Sequence, residues 1–270
     1  MAILGKQDQM AISQFLREHL LGRVGIEVWS RKDSGLVLTD RDPSTHSEDT
    51  VSVMRELVSL HSGLTFTPYD LDRHGERARQ AGIERAPTIV MRARGTELRF
   101  TGYPSGLLFP AFVDALIMVG AGTSPLSDGS RRDLNGLPEP MNLELLVTPY
   151  DPISPQMMRL AYACGVESKQ VRVNVTEMAE YPILAQQRQV TEVPIFVVGG
   201  RRFPGAFGEA ELVEQIRRIA SGDDSPVIRE RVLTVPFVTA EQAAQMAAAQ
   251  QTGGPPPGSP PPSGLFIPGR

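Results

Sequence analysis

The chain has 270 residues, of which 41% are hydrophobic and 21% charged, with a formal net charge of -4. That length favours two domains over one, and the apolar fraction is enough for two modest cores. The acidic balance, with arginines such as Arg92, Arg94, Arg99, Arg201, Arg202, Arg217 and Arg218 interleaved among acids, argues against a nucleic-acid or anionic-membrane footprint.

A single cysteine, Cys164, leaves no disulfide framework and no cysteine-based metal site. No stretch approaches the roughly 18 uninterrupted apolar residues of a membrane span. The opening Met-Ala-Ile-Leu-Gly-Lys lacks the basic-then-apolar pattern of a secretory leader, so the expected compartment is the cytoplasm.

Residues 7–22 place Met10, Ile12, Phe15, Leu16 and Leu20 at helical spacing, with Gly22 as a stop. A strand follows at Ile26–Trp29. After a loop rich in Asp, Ser and Pro, a helix over 47–61 carries Val51, Met54, Leu57 and Val58 on one face. Leu64–Leu71 alternates as a strand, and His74–Ala81 reads as a short helix. Pro87–Met91 and Glu97–Phe100 form a strand pair, and Phe109–Val119 a closing helix.

Residues 121–140 have the composition of a linker, after which the pattern repeats. Leu143–Val147 predicts a strand, 155–164 a helix, Gln170–Val175 a strand and 177–188 a helix. Pro194–Val198 and Arg201–Phe203 pair, and Gly208–Ala220 closes the repeat. Strands alternating with helices at this spacing predict an α/β fold. The expected organisation is a first domain over 1–120, the linker, a second domain over 141–221 and an irregular or helical extension over 222–252.

Two spots in each half carry a family resemblance. A proline opens a strand in Gly82-Ile-Glu-Arg-Ala-Pro87-Thr-Ile-Val and in Val190-Thr-Glu-Val-Pro194-Ile-Phe-Val. Each is followed by a glycine before the last helix, Gly102 and Gly205. The pattern resembles the thioredoxin fold, in which that proline is cis and faces the active site. Thr148-Pro149-Tyr150-Asp151-Pro152-Ile153-Ser154-Pro155 resembles the active-site segment of the protein disulfide oxidoreductases, tandem thioredoxin-fold proteins related to glutaredoxin. The resemblance covers roughly residues 7–221 and implies two tandem thioredoxin-like domains.

In that family a cysteine pair would occupy Asp151 and Ser154, and by registration Ser44 and Ser47 in the first half. None of the four is cysteine here. Dithiol exchange needs a thiolate and a second sulfur to resolve the mixed disulfide. A serine hydroxyl and an aspartate supply neither, so the family's redox residues do not carry over.

What the resemblance leaves is the cleft around Pro87 and Pro194, with Ala86 and Val193 before them, as a place for an extended peptide or protein. Asp151 or Ser154 before a proline also reads as a helix N-cap, and Thr45-His46-Ser47-Glu48 has capping-box spacing. Capping alone and capping combined with ligand contact both fit these residues.

Cys164, in Leu160-Ala-Tyr-Ala-Cys164-Gly165 at a helix end, reads as a packing residue, with monothiol chemistry as the alternative. His19, His46, His61 and His74 show no ligand spacing, and no metal is expected. His46 beside Ser44 and Ser47 invites a nucleophile–base reading, but no orienting acid is apparent in the sequence. No glycine-rich phosphate loop follows a strand, so no cofactor is expected.

Ala240–Gln251 contains strong helix formers with almost no apolar face. Residues 253–264 are Gly, Pro and Ser throughout, a linker composition, and lead to Leu265-Phe266-Ile267-Pro268-Gly269-Arg270. This tip resembles the cargo-loading peptides of encapsulin nanocompartments, with Leu265 and Ile267 as the side chains entering the shell pocket and Phe266 and Arg270 beside them. A functionless end and docking to another partner are the competing readings. Two expectations for function follow. The first is a redox-inactive binding or cargo protein, located in the cytoplasm or inside such a compartment. The second is an enzyme of changed chemistry working through Cys164 or through Asp151 and Ser154.

Overall fold

The computed structural model describes residues 3–32, 42 and 46–251. Ser44, Thr45 and Leu265–Arg270 lie outside these residues. Chain contacts divide the protein into Met1–Phe237 and Val238–Arg270. In the second unit the described element is helix α9 (Ala240–Gln251), entered at Thr239, whose hydroxyl accepts from the Gln242 N–H at 3.3 Å.

The first unit runs the same path twice. The first pass begins with α1 (Lys6–His19) and β1 (Val24–Ser30), then α2 (Ser47–Ser59), β2 (Leu64–Asp70) and α3 (Gly75–Gln80). It ends with β3 (Thr88–Ala93), β4 (Thr96–Thr101) and α4 (Leu108–Ala121). The second pass follows α5 (Asp128–Asn135) with β5 (Met141–Val147), α6 (Ser154–Glu167) and β6 (Val171–Glu177). A 3₁₀ turn (Met178–Glu180) and α7 (Pro182–Gln187) come next. Strands β7 (Glu192–Val193), β8 (Ile195–Val198) and β9 (Arg201–Pro204), helix α8 (Glu209–Ala220) and strand β10 (Val235–Pro236) complete the unit.

The strands assemble into one eight-stranded sheet ordered β2-β1-β3-β4-β6-β5-β8-β9. Its two halves meet at a parallel pairing of β4 with β6, Leu98 opposite Val173 and Thr101 opposite Thr176. β10 lies apart from this sheet and pairs antiparallel with β7. The core on one face is continuous through both halves, because α4 and α6 pack side by side across the seam. α4 is apolar almost all round, and Leu108, Phe112, Leu116 and Val119 are fully enclosed, as expected of a helix buried on several sides. On the opposite face α3 covers a small cluster around Trp29 and Val90, and α7 covers one around Tyr181 and Val193.

Most predicted elements lie within a few residues of those observed, and four differ instructively. Met10, expected on the apolar face of α1, is 65% exposed. α1 ends at His19 rather than at Gly22, with Leu20 as an extended C-cap. The expected linker 121–140 contains α5, capped where the Ser127 hydroxyl accepts from the Ser130 N–H. This segment stays on the body because Leu126, Leu134 and Leu137 are buried in the core. The helix expected over 177–188 is split. Glu177 takes the Ala179 and Glu180 N–H groups at 2.7 and 3.1 Å, closing a 3₁₀ turn, and Pro182 restarts the chain as α7. Among the described residues no helix is long and apolar enough to cross a membrane.

The seam depends on a glycine. A Cβ at Gly165 of α6 would stand 2.6 Å from Val173 Cγ2 and 2.9 Å from Leu98 Cδ2, one residue from each half. Both are short, branched side chains in strands and cannot swing aside. Gly165→Ala is therefore expected to destabilise the fold by about 1–3 kcal/mol despite alanine's better helix propensity. A lowered urea midpoint checks this, and an unchanged or raised midpoint refutes it.

Candidate functional site

In each half a cis proline stands just before a strand, Ala86–Pro87 before β3 and Val193–Pro194 before β8. The glycine ending the next hairpin returns to that proline. The Gly102 N–H donates to the Pro87 carbonyl and the Gly205 N–H to the Pro194 carbonyl, both at 2.8 Å. Both glycines have positive φ, 118° and 93°, a region that side chains resist. Each also lies under another part of the chain. A Cβ at Gly102 would come within 2.8 Å of Glu177 Cβ, and one at Gly205 within 2.8 Å of Val232 Cγ1.

In the second half, Asp151 and Ser154 are fully buried. The Asp151 carboxylate accepts from the Ile153 and Ser154 N–H groups at 2.8 and 2.9 Å, and the Ser154 hydroxyl donates to it at 2.6 Å. The two positions thus close on each other as a helix-entry cap. In the first half, Ser47 is also fully buried, and its hydroxyl accepts from the Arg31 N–H at 3.3 Å. The capping box expected of Thr45 and Glu48 has its first member outside the described residues. The N-cap of α2 is His46, whose side chain makes no cap bond.

His46 points instead across the seam. Its Nδ1–H donates to Glu180 Oε2 at 2.5 Å and its backbone N–H to Glu180 Oε1 at 3.2 Å, a contact spanning 134 residues. The expectation that His46 has no orienting acid is thereby corrected. The acid comes from the turn after β6, which the β4–β6 pairing delivers to the start of α2. Tyr103 stacks on the imidazole, centroids 5.2 Å apart at 10°. The Glu180 hydrogen bond, partly opposed by burial, raises the His46 pKa above its ordinary value. Burial pushes the Glu177 carboxyl up to about 8. Tyr103 and Tyr150 are raised as well, chiefly by burial, with Glu180 contributing to both.

The same turn closes the first cleft. Tyr181 is 2% exposed and donates its hydroxyl to the Pro87 carbonyl at 3.0 Å. Asp42 accepts from the Ile183 and Leu184 N–H groups at 2.6 and 3.0 Å, pinning α7 from the first half. Sequence reading missed Asp42, Glu177, Glu180 and Tyr181. Their only local signal is an acid pair followed by Tyr-Pro at a strand end, and their partners lie far away in the chain.

Cys164 is fully buried in the main core, and burial pushes its thiol up to about 12. No group of three or more His, Cys, Asp or Glu is arranged to hold a metal among the described residues.

The fold is shared with solved structures. The chain is similar to a protein disulfide oxidoreductase from Aeropyrum pernix at 23% identity and TM-score 0.71, over 83% of this chain and 96% of that one. It is similar to the N-terminal domain of alkylhydroperoxide reductase AhpF from Enterococcus faecalis at 20% identity and TM-score 0.67, over 79% and 99%. Sso1120 from Sulfolobus solfataricus follows at 13% and 0.53, over 73% and 99%. The fold is a tandem thioredoxin fold. No protein-family model matches the chain, and no curated protein sequence matches it either.

The paired groups at the seam give stability a pH slope. Glu177 keeps its proton up to about 8 when folded but ionises near 4.5 when unfolded, so stability falls as pH rises between those values. His46 acts in the same sense. Its raised pKa contributes stability fully present below the ordinary 6.5 and lost as pH rises through the folded value. Asp70, Glu209 and Asp223, whose pKa values are lowered, are ionised in both states above about pH 5 and add no slope there. The urea midpoint is expected to fall from pH 5 to pH 8, and Glu177→Gln to flatten that fall. A midpoint that rises across the window contradicts the assignment.

Proposed function

We propose that this chain is a thioredoxin-fold binding protein that holds extended polypeptide beside Pro194 without thiol exchange. We propose further that Leu265–Arg270 carries it as cargo to an encapsulin-type shell. One observation supports the peptide reading above the rest. An extended stretch of the chain itself lies antiparallel along β7, with Val235 opposite Val193, the residue before Pro194. Backbone pairing there needs no sulfur.

Ala86 and Pro87 are the matching residues of the first half. With Tyr181 on the Pro87 carbonyl, the reading assigns capture to the second half alone. Composition and burial together support the absence of thiol exchange. The single thiol is enclosed and stays protonated at neutral pH, and attack on a disulfide requires the thiolate. The shell reading draws its support from the residues Leu265, Phe266, Ile267 and Arg270 behind a Gly/Pro/Ser spacer.

A second reading, altered chemistry in place of thiol exchange, is favoured by the His46–Glu180 contact, which has the form of a base held by an acid. It moves the chemistry from Asp151 and Ser154, whose groups are consumed in a cap, to the first half. Glu180→Gln tests it, since the acid-side loss of any activity that needs unprotonated His46 as a base then moves to lower pH.

Two outcomes are expected. Neither the intact protein nor Cys164→Ala reduces insulin with dithiothreitol above the uncatalysed rate; thiol-dependent turnover would overturn the reading. Co-expressed with an encapsulin shell and separated by size exclusion, the intact chain co-elutes with the particle and a version ending at Gly264 does not. If both run as a small species, the tail is not a loading signal.

A further inference from the structure

The two clefts are covered differently, and the difference identifies a ligand. Over Gly102 and Pro87 the cover is sealed. Met178 is fully buried, Tyr181 is 2% exposed, and both belong to a cluster enclosed under α7. Over Gly205 and Pro194 the cover is a strap, residues 227–237, that follows α8. It contributes only two residues to the β7 ladder. Val235 and Phe237 are partly buried against Val193 and its neighbours, while Ile228, Val232 and Leu233 are 94%, 56% and 47% exposed.

Its attachments are of the kind an extended ligand makes. The Phe237 N–H donates to the Thr191 carbonyl and the Ala206 N–H to the Leu233 carbonyl, both at 3.0 Å. The Thr234 hydroxyl donates to Glu192 at 2.7 Å. Upstream, the Arg229 guanidinium lies 3.8 Å over the Phe207 ring and donates to the Pro204 and Ala206 carbonyls at 2.6 Å each. The strap is thus read by its backbone, by alternate apolar residues at 235 and 237, and by one arginine six positions before the first of them.

We infer that residues 229–237 are a built-in ligand of the Pro194 groove, displaceable by an extended peptide with an arginine six positions ahead of alternating apolar residues. This rests on the peptide-holding function proposed above and adds both its specificity and its control. Only Ser221–Pro226 separate α8 from the strap, and so short a tether gives the attached ligand an effective concentration on the order of millimolar or above. An outside peptide with the same contacts therefore meets a strong internal competitor, and the groove opens fully only when the strap is drawn away.

The test uses the whole chain, intact and with Val235→Glu plus Phe237→Glu to release the strap. Circular dichroism and Trp29 fluorescence confirm that the variant is folded. A fluorescein-labelled peptide copying residues 229–238 is titrated by anisotropy. The variant is expected to bind it at least tenfold more tightly than the intact chain, and a peptide carrying both glutamates to bind neither. Equal binding to both chains, or binding to neither, overturns the inference.

Reduced, carboxymethylated α-lactalbumin, an unfolded chain with no free thiol, separates this from the wider proposal. If it binds both chains alike while the strap peptide binds neither, peptide holding survives and the built-in ligand does not. If the variant fails to fold, native-state hydrogen exchange on the intact chain decides. The Phe237 and Ala206 amides are expected to exchange together and well before those of β5 and β8. Exchange only alongside β5 and β8 overturns the inference.

Discussion

The parallel pairing of β4 with β6 is the constraint on which the rest of this protein depends. Two thioredoxin-like halves could sit side by side through helix contacts alone. Here the edge strand of one half accepts the edge strand of the other, and register is then fixed residue by residue, Leu98 to Val173 and Thr101 to Thr176. Thr101 Oγ1 donates to Asn174 Oδ1 at 3.0 Å along the seam. Behind it, Tyr162 from α6 donates its hydroxyl to the Arg99 carbonyl at 2.9 Å and is itself fully buried. Close approach of α6 at Gly165 makes this packing possible, so the seam is an interior rather than a contact surface.

That pairing also decides what each cleft can be. Because β6 runs parallel to β4, the residue after Thr176 arrives beside the residue after Thr101. Glu177 thus meets Gly102, and the turn that follows carries Glu180 to His46 and Tyr181 to the Pro87 carbonyl. In the second half the strand equivalent to β4 is β9, which ends the sheet order. Among the described residues no strand arrives beside it, and the space over Gly205 is taken by a later piece of chain. One internal symmetry, broken at a single edge, gives one sealed cleft and one lightly covered cleft.

Local pattern made the fold readable. An alternating strand at Leu64–Leu71, helices with one apolar stripe, and the two prolines with their following glycines placed most elements near where they lie. The errors came where distant burial overrode local composition. Ser, Gly and Asp between 121 and 140 read as a linker, yet Leu126, Leu134 and Leu137 anchor that stretch in the core. The site was less legible for the same reason. Ser47, Asp151 and Ser154 could be named from the family resemblance, and the reading of the latter two as a helix cap from the prolines that follow them. Glu180 could not be found, because its importance lies in a hydrogen bond to a residue 134 positions away. Val235 against Val193 was equally hidden, since two residues of ladder leave no period in a sequence.

The surroundings of the two helix starts differ from those a reactive cysteine needs. A reactive cysteine at a helix start gains its low pKa from free N–H groups and nearby positive charge. At α6 the Ile153 and Ser154 N–H groups are already held by the Asp151 carboxylate, so the field that would stabilise a thiolate is neutralised. At α2 the nearest charged partner of His46 is the buried Glu180, with Glu177 beside it. At both helix starts the groups that could support a thiolate are already engaged, by the Asp151 carboxylate at α6 and by Glu180 at α2. Over each proline lies another segment of the chain itself, Tyr181 on the Pro87 carbonyl and Val235 opposite Val193.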